Sequence, residues 1–496
     1  MAAPDPVYLD YAATTPVDPG VAEAMARFLA GPDGLGNASS ATHLFGRRVA
    51  ERIEQARGEV AALIGASPGE ILFTSGATES NNLAVLGAVR ANAHRGRHIV
   101  SSRIEHKAVL DPLKRLEKEG FAVTLLSPDR SGRVVTDAIR AALRPDTVLA
   151  SIMLVNNEIG VIQDIAAIAA LCRAHGVLFH TDAAQAVGKI PLDVHRLAVD
   201  FMSFTAHKLY GPKGAGALYV RDEARARLQP IVFGGGQERG LRPGTLATHQ
   251  IVGLGVACDL ARRNLPAEHA RLAELRERLW RGLARLGGVH ANAQDAPCVP
   301  GILNVSFEGV EGESLVTGLP ELAISTGSAC NSASAEPSYV LRALGRDAQL
   351  AQSSLRLSFG RFSSPAHIDL AVEAIRREVT RLRMLSPAAE ARDTASSTEA
   401  VGEAGGPGQE VWVRFRLAVR DGSVKSALFK AYGCPHTLAV AAWLAERLPG
   451  RGRADLAPGT PAEWAEALAV PVEKLGRLLV LEDALADCVR HWPEEV

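Results

Sequence analysis

Short apolar segments alternate with helical stretches along much of the chain, and this rhythm constrains the fold more than any other feature. Each segment has the length and composition of a buried strand, and the helical stretches between them are of crossover length. Such alternation is typical of a parallel α/β sheet, whose ligands bind beyond the carboxyl ends of the strands. Polar clusters follow the segments at those ends, although a loop or helix cap explains any one of them alone. The segments span residues 70–74, 98–102, 148–155 and 177–180.

Lys208 follows one further apolar segment, residues 199–204, and precedes a glycine-rich turn. Burial at the end of a strand lowers the pKa of a lysine and favours the nucleophilic amine that Schiff-base chemistry needs. Taken alone, a surface lysine before a turn is the simpler interpretation. The function of Lys208 therefore depends on the residues that accompany it.

The segment 70–74 runs into a glycine turn that opens a helix. Exposed N–H groups and the helix dipole make such a turn an anion site, and Thr78 adds a hydroxyl donor. With Lys208, Asp182 and His106, the turn offers an imine-forming amine, an acid for a ring nitrogen, a phosphate cradle and a flat side chain. Pyridoxal phosphate requires this set of groups. A nicotinamide cofactor is disfavoured, since no strand is followed by G-x-G-x-x-G.

Several motifs connect these residues to a known family, and they lie at residues 8–16, 74–82, 105–107, 155–160, 182–185 and 203–214. With them, the chain from about Tyr8 to Leu385 resembles the NifS/IscS-type, group I cysteine desulfurases of the class V aminotransferase, fold-type I family. The resemblance implies a large domain with a mainly parallel sheet over about 16–262. It also implies a smaller α+β domain over about 263–386 that takes in the N-terminal segment, and a homodimer that uses pyridoxal 5'-phosphate to act on L-cysteine.

The resemblance also implies roles for individual residues. Lys208 would form the Schiff base, Asp182 would pair with the pyridine nitrogen, and His106 would stack on the ring and move protons. Gln185 would bond the phenolate oxygen, and the guanidinium of Arg356 would pair with the substrate carboxylate. The remaining cofactor contacts would come from Ala77, Thr78, Asn157, Thr205 and His207, with Thr245 reaching the phosphate from the partner subunit. Asn37, in a loop of small polar residues at 36–43 that a surface turn also explains, is assigned to the substrate.

Cys330 lies in a stretch almost devoid of bulky side chains, residues 324–335, which has the composition of a mobile loop. The resemblance implies that this thiol attacks the sulfur of the bound cysteine and leaves alanine and an enzyme persulfide. The sulfur would pass to acceptor proteins for iron–sulfur cluster assembly or other thiolation. The alternatives are a selenocysteine lyase, another enzyme of the same fold that does not need Cys330, and a sulfur-transfer or assembly adaptor without activity.

The length of 496 residues exceeds one compact core and predicts two or three domains. The formal net charge of -1 indicates neither a nucleic-acid footprint nor a basic membrane patch. There is no basic and apolar leader and no apolar run that could span a bilayer, so the protein is predicted to be cytoplasmic. The six cysteines lack CxxC pairing and disulfide-scaffold density, which indicates single-thiol chemistry and no metal site.

Residues 387–409 are polar, small and aperiodic and predict a flexible linker. Beyond it, an alternating stretch, an Asp421-Gly422 turn and a return strand at 424–432 predict a hairpin that helices follow. Residues 410–496 are thus predicted to form a separate α+β domain. Through residues 429–434 and 481–484, this domain resembles the IscU/NifU-type iron–sulfur scaffolds.

Cys434 is the single cysteine of the scaffold family's set of three that is present, and Arg477 takes the position of the last. One thiol cannot provide the usual ligand set, so a cluster is not expected. Cys434 lies at a predicted helix N-terminus, where the dipole favours the thiolate, so it is a possible sulfur acceptor. The alternative is a degenerate domain that serves docking, dimer stability or regulation.

Overall fold

The computed structural model describes residues 5–326, 337–386 and 398–493. The described residues up to 386 are here called the body. Its strands are β1 (Val7–Tyr8), β2 (Ile71–Thr74), β3 (His98–Ser102), β4 (Ala122–Leu126), β5 (Thr147–Ser151), β6 (Leu178–Asp182), β7 (Phe201–Thr205), β8 (Gly216–Val220), β9 (Val289–Ala291), β10 (Ile302–Phe307), β11 (Leu322–Ala323) and β12 (Ser354–Ser358). Its helices are α1 (Pro19–Ala30), α2 (Leu44–Ile64), α3 (Ala77–Ala91), α4 (Lys107–Lys118), α5 (Thr136–Ala142), α6 (Ile165–Ala174), α7 (Val194–Leu197), α8 (Thr248–Ala284), α9 (Gly312–Thr317), α10 (Tyr339–Ala343), α11 (Ala348–Gln352) and α12 (Pro365–Leu385).

The largest sheet has the strand order β2-β8-β7-β6-β5-β3-β4. The strands from β4 to β7 pair in parallel, and β8 runs antiparallel between β7 and β2. Neighbouring residues of one strand enter different apolar cores, since Leu178 packs in one cluster and Phe179 in the other. Helices therefore cover both faces, as expected for buried parallel strands. The predicted α/β class with a mainly parallel sheet is confirmed.

Gly216, the first residue of β8, permits a close approach between the sheet and the glycine turn. A Cβ at this position would lie 2.6 Å from the Cα of Gly76 and 2.6 Å from the carbonyl oxygen of Phe204. Side chains do not tolerate such distances, so only glycine fits. This contact places the start of α3 at the carboxyl ends of the neighbouring strands.

A second core forms around the antiparallel sheet β12-β10-β9, with α12 and the end of α8 packed on it. The N-terminal strand β1 pairs in parallel with β11, and Leu9 is buried in this core. Helix α8 joins the two cores, because Leu254 near its start packs against the large sheet and Leu283 near its end packs in the second core. One long helix thus links the large sheet to the smaller layer.

The C-terminal region contains an antiparallel sheet with the order β13-β14-β15. Its elements are β13 (Glu399–Gly406), β14 (Val411–Arg420), β15 (Ser423–Tyr432), α13 (Pro435–Arg447), α14 (Pro461–Ala467) and α15 (Leu475–Arg490). The predicted hairpin and the helices after it are present, and Trp464 and Phe415 are fully buried in their core.

The predicted linker, residues 387–409, is wrong over its second half, because Glu399–Gly406 is strand β13 and pairs with β14 along its length. One of the small residues that suggested a linker, Gly402, is required by packing. A Cβ on Gly402 would lie 2.2 Å from the backbone nitrogen of Cys488 and 2.4 Å from the carbonyl oxygen of Ala484. Helix α15 therefore rests directly on the backbone of β13, and the domain begins about ten residues earlier than predicted.

The C-terminal domain packs on the smaller layer of the body through α13, β15 and neighbouring loops. Ser314 Oγ donates to the carbonyl of Gly433 at 2.7 Å, and Gln352 Nε2 donates to Glu410 Oε1 at 2.9 Å. An ion pair between Lys474 and Glu313 at 2.8 Å closes the edge of this contact. The domain is therefore docked through specific polar contacts. Within the ranges described above, no helix is long and apolar enough to cross a membrane.

Candidate active site

A cleft of about 600 Å³ opens where the carboxyl ends of β2, β5, β6 and β7 meet. This volume suits a cofactor together with a small substrate. The polar clusters that follow the strands in sequence line its walls, as expected for a sheet of this class. The cleft brings together ten of the residues assigned from the sequence, namely Ala77, Thr78, His106, Asn157, Asp182, Gln185, Thr205, His207, Lys208 and Arg356.

The other assigned residues lie elsewhere. Asn37 is exposed in the loop between α1 and α2, where its Oδ1 accepts a hydrogen bond from the N–H of Ser39 at 2.9 Å. It forms a turn and is not among the residues that line the cleft. Thr245 is exposed just before α8 and likewise does not line the cleft. Cys330 lies outside the described residues.

Lys208 ends a 3₁₀ turn, Ala206–Lys208, that follows directly on β7. The turn is held by Thr15, whose N–H donates to the carbonyl of His207 at 2.8 Å. The Nδ1 of His207 lies 3.2 Å from Thr14 Oγ1. Burial and the neighbouring lysines lower the pKa of His207 to about 4, so its ring is neutral at neutral pH. The lysine therefore stands on a turn anchored to the N-terminal segment of the chain.

Asp182 ends β6 and is buried at the floor of the cleft. Asn81 Nδ2 donates to its Oδ2 at 2.7 Å, and the N–H of Ala184 donates to its Oδ1 at 2.9 Å. These two donors hold the carboxyl group in one orientation. His180 lies two residues earlier, and burial lowers its pKa to about 4. Its ring is therefore uncharged near pH 7 and forms no ion pair with Asp182. The carboxylate is thus available to a cationic group in the cleft.

His106 caps the N-terminus of α4, where its Nδ1 accepts a hydrogen bond from the N–H of Ala108 at 3.1 Å. Burial, together with the positive charge of Lys208, lowers its pKa despite the opposing charge of Asp182. The neutral ring must carry its proton on Nε2, because Nδ1 is used as an acceptor. The side chain can therefore hold or move one proton at Nε2.

The glycine turn forms the end of the cleft near α3. Gly76 has φ of 151° and caps the helix, and the first N–H groups of a helix have no partner within it. Glu79 does not oppose an anion here, since its carboxylate accepts from the N–H of Ser75 at 2.6 Å and pairs with Arg242 at 2.8 Å. The turn thus presents N–H groups and the Thr78 hydroxyl with no uncompensated negative charge nearby.

Arg356 lies on β12 and lines the same cleft. Its guanidinium pairs with Asp10 at 2.8 Å and donates to the carbonyl of Asn157 at 3.0 Å, but its Nε has no protein partner. The Oδ1 of Asn157 is also buried without a partner. Buried polar atoms are nearly always satisfied, so these two indicate that ligand groups complete the site.

The chain on either side of Cys330 is anchored beside the cleft. The N–H of Arg356 donates to the carbonyl of Ser325 at 2.7 Å, and Ser338 Oγ donates to Glu158 Oε2 at 2.5 Å. Cys330 is five positions after Ser325 in the chain. Such a segment spans at most about 18 Å when it is extended.

Sequence reasoning missed the polar groups behind the cleft. Asn81, which holds Asp182, lies in the motif at 74–82, but only the fold shows its partner. Burial raises the pKa of Glu105 to about 8 and that of Glu158 to about 7, so Glu105 in particular is mainly protonated at neutral pH. Both lie in the sequence motifs at residues 105–107 and 155–160, and this location is the one feature of the sequence that could have identified them.

Cys434 lies in the C-terminal domain, at the N-terminus of α13 as predicted, and is fully buried. Its Sγ lies 3.5 Å from Thr437 Oγ1. Arg477 interacts with this thiol and pairs with Glu410 at 3.0 Å. Burial opposes the charge of Arg477, but Cys434 and the carboxylates around it raise the pKa of the guanidinium. In the described residues, no group of three metal-binding side chains forms here or elsewhere.

Comparison with known proteins agrees with this geometry. The family described as aminotransferase class-V matches residues 7–370. A cysteine desulfurase IscS of Methylococcus capsulatus is 56% identical over 382 residues, which cover 77% of this chain and 94% of the relative. A cysteine desulfurase IscS of Salmonella schwarzengrund is 54% identical over 382 residues and is covered to 95%. The chain belongs to the class V aminotransferase family, among its cysteine desulfurases.

Solved structures of this family have the same fold. A NifS-like protein superposes with a TM-score of 0.70 at 36% identity, over 76% of this chain and 100% of the other. A structure described as SspA in complex with cysteine superposes with a TM-score of 0.64 at 40% identity, over 72% of this chain and 99% of the other. The family thus accounts for the body that carries the cleft.

Proposed function

We propose that this cysteine desulfurase converts L-cysteine to L-alanine with pyridoxal phosphate and keeps the sulfur as a persulfide on Cys330. The observation that carries the proposal is the convergence of Lys208, Asp182 and the glycine turn in one cleft of a chain of this family. These are an amine, an acid and an anion cradle on three different elements. Few cofactors need all three.

The residues fit the cofactor in their chemistry. Thr78, Thr205 and the N–H groups of the turn would hold the phosphate, and Asp182 would pair with the ring nitrogen. Asn157 has a buried Oδ1 that lacks a partner, which a polar group of the ligand would satisfy. Lys208 would attach the cofactor. When bound, the cofactor supplies an electron sink for bond cleavage at the amino acid.

The side chains of this chain would bind and orient the substrate. Arg356 is preorganised by Asp10 and would take the substrate carboxylate. His106, neutral and protonated on Nε2, would stack on the ring and move a proton between substrate atoms. The buried, neutral Glu105 behind it adds no second negative charge to that of Asp182.

The sulfur step balances with Cys330 as the acceptor. The Cys330 thiolate forms an S–S bond to the substrate sulfur while the substrate C–S bond breaks. The carbon takes the proton from the substrate thiol, so alanine and an enzyme persulfide result without an external oxidant. The anchoring of Ser325 and Ser338 beside the cleft supports the reach of Cys330 to this place.

Substitution of Cys330 tests the assignment. Cys330→Ser is expected to retain the absorbance of the bound cofactor and to lose sulfide release from cysteine. Cys298→Ser is a suitable control, since this partly buried thiol does not line the cleft and its pKa is raised by burial. Undiminished turnover of cysteine by the Cys330 variant would contradict the proposed nucleophile. Turnover of selenocysteine alone would favour the selenocysteine lyase alternative.

We also propose a homodimer in which Thr245 completes the partner's phosphate site. In one chain Thr245 is exposed and does not line the cleft. The preceding loop carries Val232 and Phe233, which are 52% and 82% exposed, as expected of side chains that a second copy covers. Light scattering is expected to give twice the chain mass of 52.4 kDa, and Phe233→Asp is expected to shift the protein toward the monomer.

For the C-terminal domain we propose a scaffold-like module that docks on the body and holds no cluster. The sulfur-acceptor role of Cys434 requires access, whereas its side chain is fully buried and partnered by Thr437 and Arg477. Mass spectrometry after exposure to sulfur-labelled cysteine is expected to find label on Cys330 and none on Cys434. Cys488, equally buried in the same domain, is the matched control. Label on Cys434 above that on Cys488 would support a sulfur relay to acceptor proteins instead.

A further inference from the structure

A second lysine, Lys189, lies beside the cleft without a role in the chemistry described so far. Its Nζ donates to the side-chain oxygen of Gln185 at 2.5 Å. The side-chain nitrogen of the same glutamine donates to the carbonyl of Ala12 at 2.7 Å. Lys189 and Lys208 also line one small enclosed cavity behind the cleft. The two lysines are therefore neighbours. Gln185 also lines the cleft, so it connects Lys189 with the place where a ligand would bind.

The contacts of Gln185 fix the orientation of its amide. The protonated form of Lys189 has only donors, so it requires the amide oxygen and not the amide nitrogen to face it. A backbone carbonyl has only acceptors, so the amide nitrogen must face Ala12. After both bonds are made, the nitrogen keeps one N–H, and the amide cannot turn over without placing like groups against each other on both sides. Gln185 is thus held as a hydrogen-bond donor toward the cleft.

The charges around Lys189 argue against a plain structural ion pair. The charged groups that act on it are Lys208, Arg356 and Glu268. Glu268 is already paired with Arg361 at 3.2 Å. Burial and the two positive neighbours lower the pKa of Lys189 to about 7. Keeping an amine here is costly, and an apolar side chain would avoid the cost.

We propose that Lys189 is a positioning residue that acts through Gln185, so that the amide presents an N–H to the ring oxygen of the cofactor. The inference rests on the proposed binding of pyridoxal phosphate. It assigns to Lys189 no contact with the substrate. Loss of the lysine removes both the restraint on the amide and a positive charge near the ring oxygen, and both losses favour protonation of the bound cofactor.

The test uses the full chain in apo and loaded forms. The affinity of the apoprotein for pyridoxal phosphate is measured by fluorescence titration, and the pH midpoint of the bound cofactor is measured by absorbance. Lys189→Met is expected to weaken binding about tenfold and to raise the midpoint by about one pH unit, as loss of one hydrogen bond to a charged group would. Lys189→Arg keeps a donor and a charge and is expected to restore most of both values. Lys213→Met removes a charge that acts on the same region, at His207, without touching Gln185, and is expected to shift the midpoint less.

A double-mutant cycle decides whether Lys189 acts through the amide. In a Gln185→Leu background, Lys189→Met is expected to weaken binding less than twofold further, since the restrained group is already gone. A full tenfold loss of cofactor affinity in that background would overturn the proposal. A Lys189→Met variant with the same cofactor affinity and pH midpoint as the parent protein would also overturn it. Thermal unfolding of each variant separates these outcomes from misfolding. If the parent protein fails to bind the cofactor, the result instead contradicts the proposed function.

Discussion

Glu105 provides the sharpest test of the electrostatics behind the cleft. Its carboxyl group is fully buried, and one oxygen accepts from Ser102 Oγ at 2.5 Å and from the N–H of Met153 at 3.0 Å. The other oxygen has no partner. Replacement by glutamine keeps the shape and the accepting oxygen, and it removes the ability to ionise. The change therefore isolates one titration.

The size of the effect follows from the pKa. Burial, reinforced by the charge of Asp182, raises the pKa of Glu105 from 4.5 to about 8. Between these two values the folded protein keeps a proton that the unfolded chain has released, so rising pH reduces the stability of the parent. The loss is about 1.4 kcal/mol per pH unit and totals on the order of 5 kcal/mol by the upper end of the window. Below pH 4.5 the protonated Glu105 makes its full contribution to the stability of the parent.

The assay is urea unfolding of the parent and of Glu105→Gln at pH values from 5 to 9. The variant is expected to gain stability relative to the parent at the stated slope up to about pH 8, after which the difference becomes constant. Glu158→Gln is a parallel case with the same slope, and its difference is expected to level off near pH 7. A difference between parent and Glu105→Gln that does not change with pH would refute the protonated state of Glu105.

Three further changes are expected to have large effects for distinct reasons. Glu238→Gln breaks a buried pair with Arg57, held by two contacts of 2.8 Å, and is expected to cost about 3 to 5 kcal/mol in urea unfolding; a cost below 1 kcal/mol would contradict it. Gly402→Val forces α15 away from β13 and is expected to make the C-terminal domain sensitive to limited proteolysis while the cofactor absorbance persists. Asn81→Leu removes a donor to Asp182 and is expected to weaken cofactor binding about tenfold by titration of the apoprotein, unlike Asn82→Leu, whose side chain bonds only its own helix.

The sheet and the cleft could be predicted because their signals are local. Apolar segments end in polar clusters, and parallel strands bring those ends to one edge, so the sequence predicts that Asp182 and Lys208 lie together, as they do in the cleft. The partners that hold these residues could not be predicted in the same way. Asn81 and Asp182 are 101 positions apart, and Arg356 and Asp10 are 346 apart, so only the folded chain shows that they meet.

The error in the linker has a different cause. Composition cannot distinguish small residues that prevent packing from small residues that permit it. The glycines and alanines of β13 have the composition of a disordered segment, yet Gly402 is small because the backbone of α15 lies against it. The signal that distinguishes the two cases is the partner helix, whose sequence lies about eighty residues further on.

The polar centre of the C-terminal domain bears on the docking role that we propose for that domain. Where the resemblance to scaffolds implies three thiols, this chain has one thiol, a guanidinium and a carboxylate, in Cys434, Arg477 and Glu410. The guanidinium supplies within the protein a positive charge that a metal would otherwise bring. Glu410 also accepts from Gln352 of the body, so the same group that satisfies Arg477 ties the domain to its neighbour. The residues at this centre therefore favour a role in docking over a role in holding metal, because each of them is already committed to a partner within the chain.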